Sequence, residues 1–591
     1  MNFLKRVLST VVGIGVFLGL CFFFLIIIGA AIGGGNENKV VVEYNSVLKL
    51  NLDKEIPDYA GKFDYGELNE LFKGNKKNNG LFNVIDAIKY AATDDKIKGI
   101  SIVNNNLKAG MAQTKALRDA LLDFKKSGKF ILAYGDVIGQ KDYYLNSVAD
   151  SIYLNPVGAL DFKGLATEIL YYKDFQDKYG IKMEVIRHGK YKSAVEPYLA
   201  QEMSDANREQ ISAFLNSIWS EMKKEIGASR NVTVAQLDTI ADNLLARNAK
   251  KAVASKLIDK LIYIDEFNDI IKTKLGVAND EDYESIGIYD YAEHTAKKNR
   301  SKQIKIKDKI AVIYAQGQIM YGEGDEKTIG QGVINKALKN AREDDKVKAI
   351  VLRVNSPGGS ALASELIWRE IELTKAVKPV IVSMGNLAAS GGYYIACNAN
   401  KIIAEPSTIT GSIGVFGTLP NAHEFMNDIG INAEQVTTNK NSIDYSFFEP
   451  MKDDQRAIIK EGVVDIYELF TNRVATGRGM KQEAVHEIAQ GRVWTGADAL
   501  NIGLVDELGG LDLALTRAAE AAELEAYKIK ELPVYEKDFE KMFESFGLVK
   551  TKEELLKEEL GVHNYRILTK MKNITQMQGT QMLLPYDIEI K

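Results

Sequence analysis

The sequence predicts an α/β protein built from two tandem copies of one parallel-sheet domain, preceded by a single membrane-spanning helix. Three observations carry this. The chain repeats itself at a constant offset of 250 residues, strand-like and helix-like segments alternate in each copy, and a long uncharged apolar run stands at the amino terminus. With 591 residues, 46% of them apolar and 26% charged, the chain has the composition of a folded protein of several domain equivalents. A net charge of −5 is mild and gives no basic face for nucleic acid.

The amino-terminal run extends from Val7 to Gly35 without a charge. About 20 apolar residues suffice to cross a bilayer core, and the run is longer than the core of a cleaved signal peptide. A retained anchor is therefore expected over 7–35. Lys5 and Arg6 precede it, which places residues 1–6 in the cytoplasm and the bulk of the chain outside it.

The repeat is read directly. Asp94-Asp95-Lys96-Ile97-Lys98-Gly99-Ile100 matches Asp344-Asp345-Lys346-Val347-Lys348-Ala349-Ile350. The same offset pairs Asn105 with Asn355, Gly135 with Gly385, Tyr143-Tyr144 with Tyr393-Tyr394, Pro156 with Pro406 and Gly164 with Gly414. Each copy opens with an amphipathic helix, with Leu81, Val84, Ile85 and Ile88 on one face of the first and Val333, Ile334, Ala337 and Leu338 in the second. Buried strands follow at 100–103 and 350–354, at 130–134 and 380–384, and at 151–154 and 401–404, with helices between them. Such alternation implies parallel strands with crossover helices. The expected units are a first repeat over 36–292, a polar and basic linker over 293–308, a second repeat over 309–534 and a tail over 535–591. The tail has charged helical stretches and a polar, Gln- and Met-containing end, in which no chemistry is legible.

Function is expected where the copies differ. The second has Asn355-Ser356-Pro357-Gly358-Gly359-Ser360 after its first strand, where the first has Asn105-Asn106-Leu107-Lys108-Ala109-Gly110. It has Ser390-Gly391-Gly392 after its second strand, where the first has Gln140-Lys141-Asp142. Two glycine-rich loops on one sheet offer unhindered backbone N–H groups for an oxyanion. Ser390, at a strand-to-helix junction, is a candidate nucleophile.

A serine nucleophile needs a base. None of the five His residues stands in a strong motif, although His423 follows the Gly411-Ser412-Ile413-Gly414 turn and is a rival. Lysine is the other option. Lys192, in Gly189-Lys190-Tyr191-Lys192-Ser193-Ala194-Val195-Glu196-Pro197, stands opposite Lys440 at an offset of 248, and spacing does not choose between the two. A lysine base must give up roughly 3 pH units from its ordinary value of about 10.4, at a cost of about 4 kcal/mol. Burial between the two copies would supply that shift. No metal-ligand pattern is present, no cofactor is expected, and Cys21 and Cys397 allow no disulfide framework.

Taken together, Asn355–Ser360, Ala388-Ala389-Ser390-Gly391-Gly392-Tyr393-Tyr394, Pro406–Gly414 and Tyr191–Pro197 resemble SppA, the bacterial signal peptide peptidase family, in its long, duplicated form. Gly496-Ala497-Asp498-Ala499-Leu500 with Gly503-Leu504-Val505-Asp506 is similar to it as well. The resemblance implies Clp-protease/crotonase-like repeats and a Ser–Lys dyad of Ser390 and Lys192. It also implies a lysine-orienting Ser412 and an oxyanion hole at Gly358 or Gly359 with Gly391. It further implies a homotetramer on the periplasmic side of the bacterial inner membrane that digests cleaved signal peptides. A crotonase-type acyl-CoA enzyme and a non-catalytic membrane scaffold are the alternatives. An extracytoplasmic location argues against the first, and covalent labelling of Ser390 by a serine-directed probe would exclude the second, which the degenerate first copy suggests.

Overall fold

The computed structural model describes residues 10, 12–20, 40–64, 80–302, 305–536, 556, 559, 561, 565 and 581–584. The first repeat is built on β1 (Ser46–Leu50), β2 (Ile97–Val103), β3 (Phe130–Ile138), β4 (Ser151–Leu160), β5 (Lys182–His188), β6 (Lys260–Leu261) and β7 (Ser285–Gly287). Helices α1 (Leu81–Thr93), α2 (Met111–Lys125), α3 (Gln140–Asn146) and α4 (Asp205–Arg230) intervene. All but β5 pair in the order β6-β4-β3-β2-β1-β7, each contact parallel. Such strands are covered on both faces, which is why Ile97, Ile100 and Ile102 on β2 are fully buried and the strand reads as an almost unbroken apolar run.

The second repeat follows the same plan. It runs through β8 (Lys309–Gln316), β9 (Gln318–Met320), β10 (Thr328–Gly330), β11 (Val347–Ser356), β12 (Gly358–Ser360), β13 (Val380–Ala389), β14 (Lys401–Ala404), β15 (Ile409–Gly411) and β16 (Val415–Asn421). β17 (Val493–Thr495), β18 (Glu507–Leu508), β19 (Lys528–Leu532) and β20 (Gln581–Leu583) follow, and a short strand over Val534–Glu536 pairs in parallel with Lys62–Asp64 of the first repeat. The main sheet has the order β17-β15-β13-β11-β8-β19, with β14 on β13 and β18 on β14. The helices connecting the repeats and this sheet are α5 (Ile288–Lys302), α6 (Gln331–Glu343), α7 (Ala361–Lys375), α8 (Gly391–Ala396) and α9 (Asp453–Arg478). The offset of 248 reappears in α4 and α9, both 26 residues long.

A third sheet joins the copies, in the order β10-β9-β12-β20-β16-β5. Its β5 comes from the first repeat and pairs antiparallel with β16 of the second, from Val415 opposite His188 to Asn421 opposite Lys182. The amino-terminal segment adds a second tie. Asp58 holds the Arg353 guanidinium at 3.0 Å, both side chains almost completely buried, and the Tyr59 ring stacks on Tyr314 with centroids 4.5 Å apart. Removing one member of a buried ion pair leaves an uncompensated charge. Asp58→Ala should therefore cost about 3–5 kcal/mol in a denaturant melt.

One sequence expectation is refined, and another falls largely outside the described residues. Residues 293–308 do not form a mere linker, because α5 continues to Lys302. Ile288, Tyr291, Ala292 and Thr295 recur at helical spacing and are buried against the first repeat, where the Tyr291 hydroxyl donates to Asp94 at 2.8 Å. The apolar run 7–35 lies largely outside the described residues. Thr10 and 12–20 are helical, and among the described residues no helix is long and apolar enough to cross a membrane. Most of the 535–591 tail also lies outside them.

Candidate active site

Strand β13 ends at Ala389 and α8 begins at Gly391, so Ser390 occupies the sharp junction between them. Its backbone has φ 56° and ψ −117°, an unusual state for a residue with a side chain. The turn is held because Ser390 N–H donates to the Gly411 carbonyl at 2.8 Å. The residue that follows Gly411, Ser412, also has a positive φ of 50°, and its N–H donates to Arg492 O at 2.6 Å.

Lys192 reaches this point from the other copy. It lies just past β5, whose ladder to β16 fixes its approach. The Nζ atom is 2.8 Å from Ser390 Oγ, 3.0 Å from Ser412 Oγ and 3.1 Å from Ser412 O. Lys192 is 0% exposed, with Val195 and Phe416 buried in a small apolar cluster at the same junction. Burial alone pushes its amine well below the ordinary lysine value.

Glycines make the space. At Gly491 a Cβ would sit 2.6 Å from the Lys192 Cα and Cβ, and at Gly414 a Cβ would sit 3.2 Å from Lys192 Cδ. Gly358 has φ 96° and faces Gly391, since a Cβ on the former would lie 2.6 Å from the Gly391 nitrogen. The Gly358 N–H donates to Ser356 Oγ at 3.1 Å. At Gly359 a Cβ would lie 1.9 Å from the Ile319 carbonyl oxygen of β9.

The profile of peptidase family S49 matches residues 123–278 and again 372–525. The chain belongs to that family.

As an S49 peptidase it is a serine protease, of the long SppA form in which the domain occurs twice. It is 36% identical over 531 residues to Protease 4 of Salmonella typhi, covering 87% of this chain and 84% of the relative. Protease 4 of Haemophilus influenzae is 35% identical over 523 residues, covering 85% and 83%. The chloroplastic serine protease SPPA of Arabidopsis thaliana is 34% identical over 440 residues, covering 73% of this chain and 64% of that one.

Ser390, Lys192 and Ser412 thus come together in the S49 chain, and the rival bases do not join them. The Lys440 side chain is 79% exposed and pairs with Asp454 at 3.0 Å. His423 Nδ1 lies 2.8 Å from Phe448 O and Nε2 lies 3.0 Å from Asn427 Nδ2. In the first repeat, Gln140 stands where the second has Ser390. Its Oε1 accepts from the N–H groups of Lys163 and Gly164, and its Nε2 donates to Gly164 O, so the side chain stitches down the equivalent of the Ser412 turn. Cys397 is a core residue, with its thiol pushed up to about 12 by burial.

Three contributors escaped the sequence reading. The Gln490–Arg492 segment pins both partners of the site, accepting from Tyr191 N–H at Gln490 O and from Ser412 N–H at Arg492 O. Gln210, fully buried, donates to Tyr191 O and Ser193 Oγ while accepting from Val493 N–H. Strand β20, from the tail, lies against Gly358–Ser360. A short apolar interruption at 581–584 in an otherwise polar end was the one signal for it.

Proposed function

We propose that this serine endopeptidase works through Ser390 as nucleophile and Lys192 as base, and that its substrates are signal peptides already cleaved from their precursors. The carrying observation is the 2.8 Å separation of Lys192 Nζ from Ser390 Oγ in a fully buried setting. A desolvated amine without a carboxylate partner is neutral over a wide pH range and so able to take a proton. Ser390 Oγ attacks the peptide carbonyl and its proton passes to Lys192. Ser412 orients the amine through its hydroxyl. The Gly358–Gly359 backbone and the Gly391 N–H receive the oxyanion. Collapse of the tetrahedral intermediate passes the proton to the leaving nitrogen, and water then hydrolyses the acyl-enzyme with Lys192 again as base.

The substrate assignment draws on the resemblance and on a similar protein named as a signal peptide peptidase in Enterococcus faecium, 37% identical over 182 residues. In the same reading, residues 7–35 anchor the chain in the bacterial inner membrane with the catalytic bulk on the periplasmic side. Both repeats are of the Clp-protease/crotonase type and the assembly is a homotetramer. A serine-directed acylating probe tests the dyad. Label is expected on Ser390 and absent from Ser390→Ala, with Lys440→Ala labelling as the wild type does. Equal labelling of the Ser390→Ala chain would refute the assignment.

A further inference from the structure

A cavity lies between the two repeats, lined by none of the residues that meet Ser390. Its volume is about 220 Å³, room for roughly seven waters at about 30 Å³ each. Helices α1 and α2 of the first repeat wall it on one side. Strand β11, the turn after β14 and the start of the helix Leu511–Ala521 wall it on the other. Glu405, Asp58 and Arg353 are buried and form its floor, whereas Asp119, Asp123 and Asp512 are about half exposed and mark its mouth. Leu81, Phe82 and Ile85 of α1, with Leu511 and Leu513 opposite, make the walls apolar.

Five carboxylates line this space, and four of them are already paired. Asp58 holds Arg353 at 3.0 Å, Asp119 holds Lys115 at 2.6 Å, Asp123 holds Lys126 at 2.6 Å and Asp512 holds Lys89 at 2.5 Å. Glu405 is the fifth. It is 3% exposed, and among the described residues its carboxylate receives no hydrogen bond and no ion pair. Lys115, the cation that acts on it most strongly, is committed to Asp119 and to Glu225 at 3.1 Å. Gly510 leaves the carboxylate its room, since a Cβ there would stand 2.8 Å from Glu405 Oε1. A buried carboxylate without a partner is costly, and burial pushes this one up to about 7. The floor is thus short of one positive charge, beneath an acidic mouth that concentrates cations.

We propose that this cavity binds a primary alkylammonium group, its charge on Glu405 and its short apolar body against Leu81, Phe82 and Leu513. The ammonium brings three donors to an acceptor-only carboxylate, and apolar walls with one convergent polar group are the usual make-up of a small-molecule site. A metal ion fits poorly, because among the described residues no three His, Cys, Asp or Glu side chains stand close enough to hold one. The ligand's chemistry is shared by a free amine and by the amino terminus of a short peptide. Each peptide bond that a peptidase hydrolyses creates one such terminus, so the site suits the enzyme's own products.

Isothermal titration calorimetry on the full-length chain tests this with n-pentylamine and leucinamide, beside pentan-1-ol and pentanoate. Saturable binding is expected for an amine and for neither control. Binding of leucinamide brings peptide termini into the site's range, and binding of pentylamine alone confines it to free amines. Glu405→Gln keeps the shape and removes a buried charge, so it should fold, and it should weaken binding by about ten-fold or more. Ser390→Ala should bind as the wild type does. Pentylamine stays protonated to about 10.4, as a lysine does, so its binding should tighten several-fold between about pH 6 and about pH 8 as Glu405 ionises. Binding to Glu405→Gln should change little over that range. The other charged groups facing Glu405 are Lys115 and Asp119 on α2, Glu225 on α4 and Arg353 on β11, each already held in an ion pair. Failure of both amines to bind at millimolar concentration overturns the proposal. So does a Glu405→Gln chain that binds as tightly as the wild type, or loss of binding in Ser390→Ala, which would put the amine at the dyad instead.

Discussion

Lys192→Met is expected to lower kcat for peptide hydrolysis by about 10⁴-fold or more, the scale on which catalytic pairs fail when one member is lost, and at the same time to make the protein more stable. The second effect follows from burial. The folded state holds this amine well below its ordinary value, whereas in the unfolded chain it titrates near 10.4. Below the folded value both states are protonated and the whole cost of burying the charge is present. Between the two values the unfolded state binds the extra proton, so stability rises with pH by about 1.4 kcal/mol for each unit. Above about 10.4 the penalty is gone. Melting curves across this range should show the variant's advantage largest at low pH and shrinking toward pH 10. A constant difference, or a less stable variant, would mean that the lysine is not held neutral. In the wild type, kcat should rise with pH along a limb set by the same depressed amine.

Gly358→Ala, at the proposed oxyanion hole, should lower kcat by about 10²- to 10³-fold, the range for disabling one oxyanion donor, because the added carbon would push the loop out of place. The residue sits at φ 96°, and a Cβ there would lie 2.1 Å from Met582 O and 2.6 Å from the Gly391 nitrogen. Both neighbours are backbone, so no side chain can swing aside. Gly430→Ala is the matched control. Its φ of 82° is similarly unfavourable, but nothing stands within 4 Å of the added carbon. It should lose about 1 kcal/mol of stability with unchanged kcat, and a comparable kcat loss in both variants would reduce the Gly358 effect to backbone strain.

The parts of this molecule that were legible in the sequence are those with long-range redundancy. Val347–Ser356 and Ile97–Val103 are apolar runs in matching frames, so the duplication alone locates both main sheets. Ser390 stood out because Gln140 occupies the equivalent place. The third sheet was not legible, since β9, β10, β12 and β20 are each three residues long and too short to show a period. Lys192 and Lys440 were indistinguishable by spacing. What separates them is burial, conferred by Gly414, Gly491 and Val195, residues distant in sequence that the fold brings alongside.

The β5–β16 ladder has a consequence for how the enzyme's rate depends on its surroundings. Ser390 and Lys192, the proposed nucleophile and base, stand 198 residues apart on one polypeptide, so the concentration each experiences of the other is set by the chain and not by how much protein is present. Dilution cannot part them. Register can, because a slip of one residue in the seven pairs from Val415–His188 to Asn421–Lys182 would move Lys192 by about 3.4 Å and turn its strand's faces over. That displacement exceeds the 2.8 Å over which the two groups meet. The ladder is a ruler, and the chemistry tolerates only one of its marks.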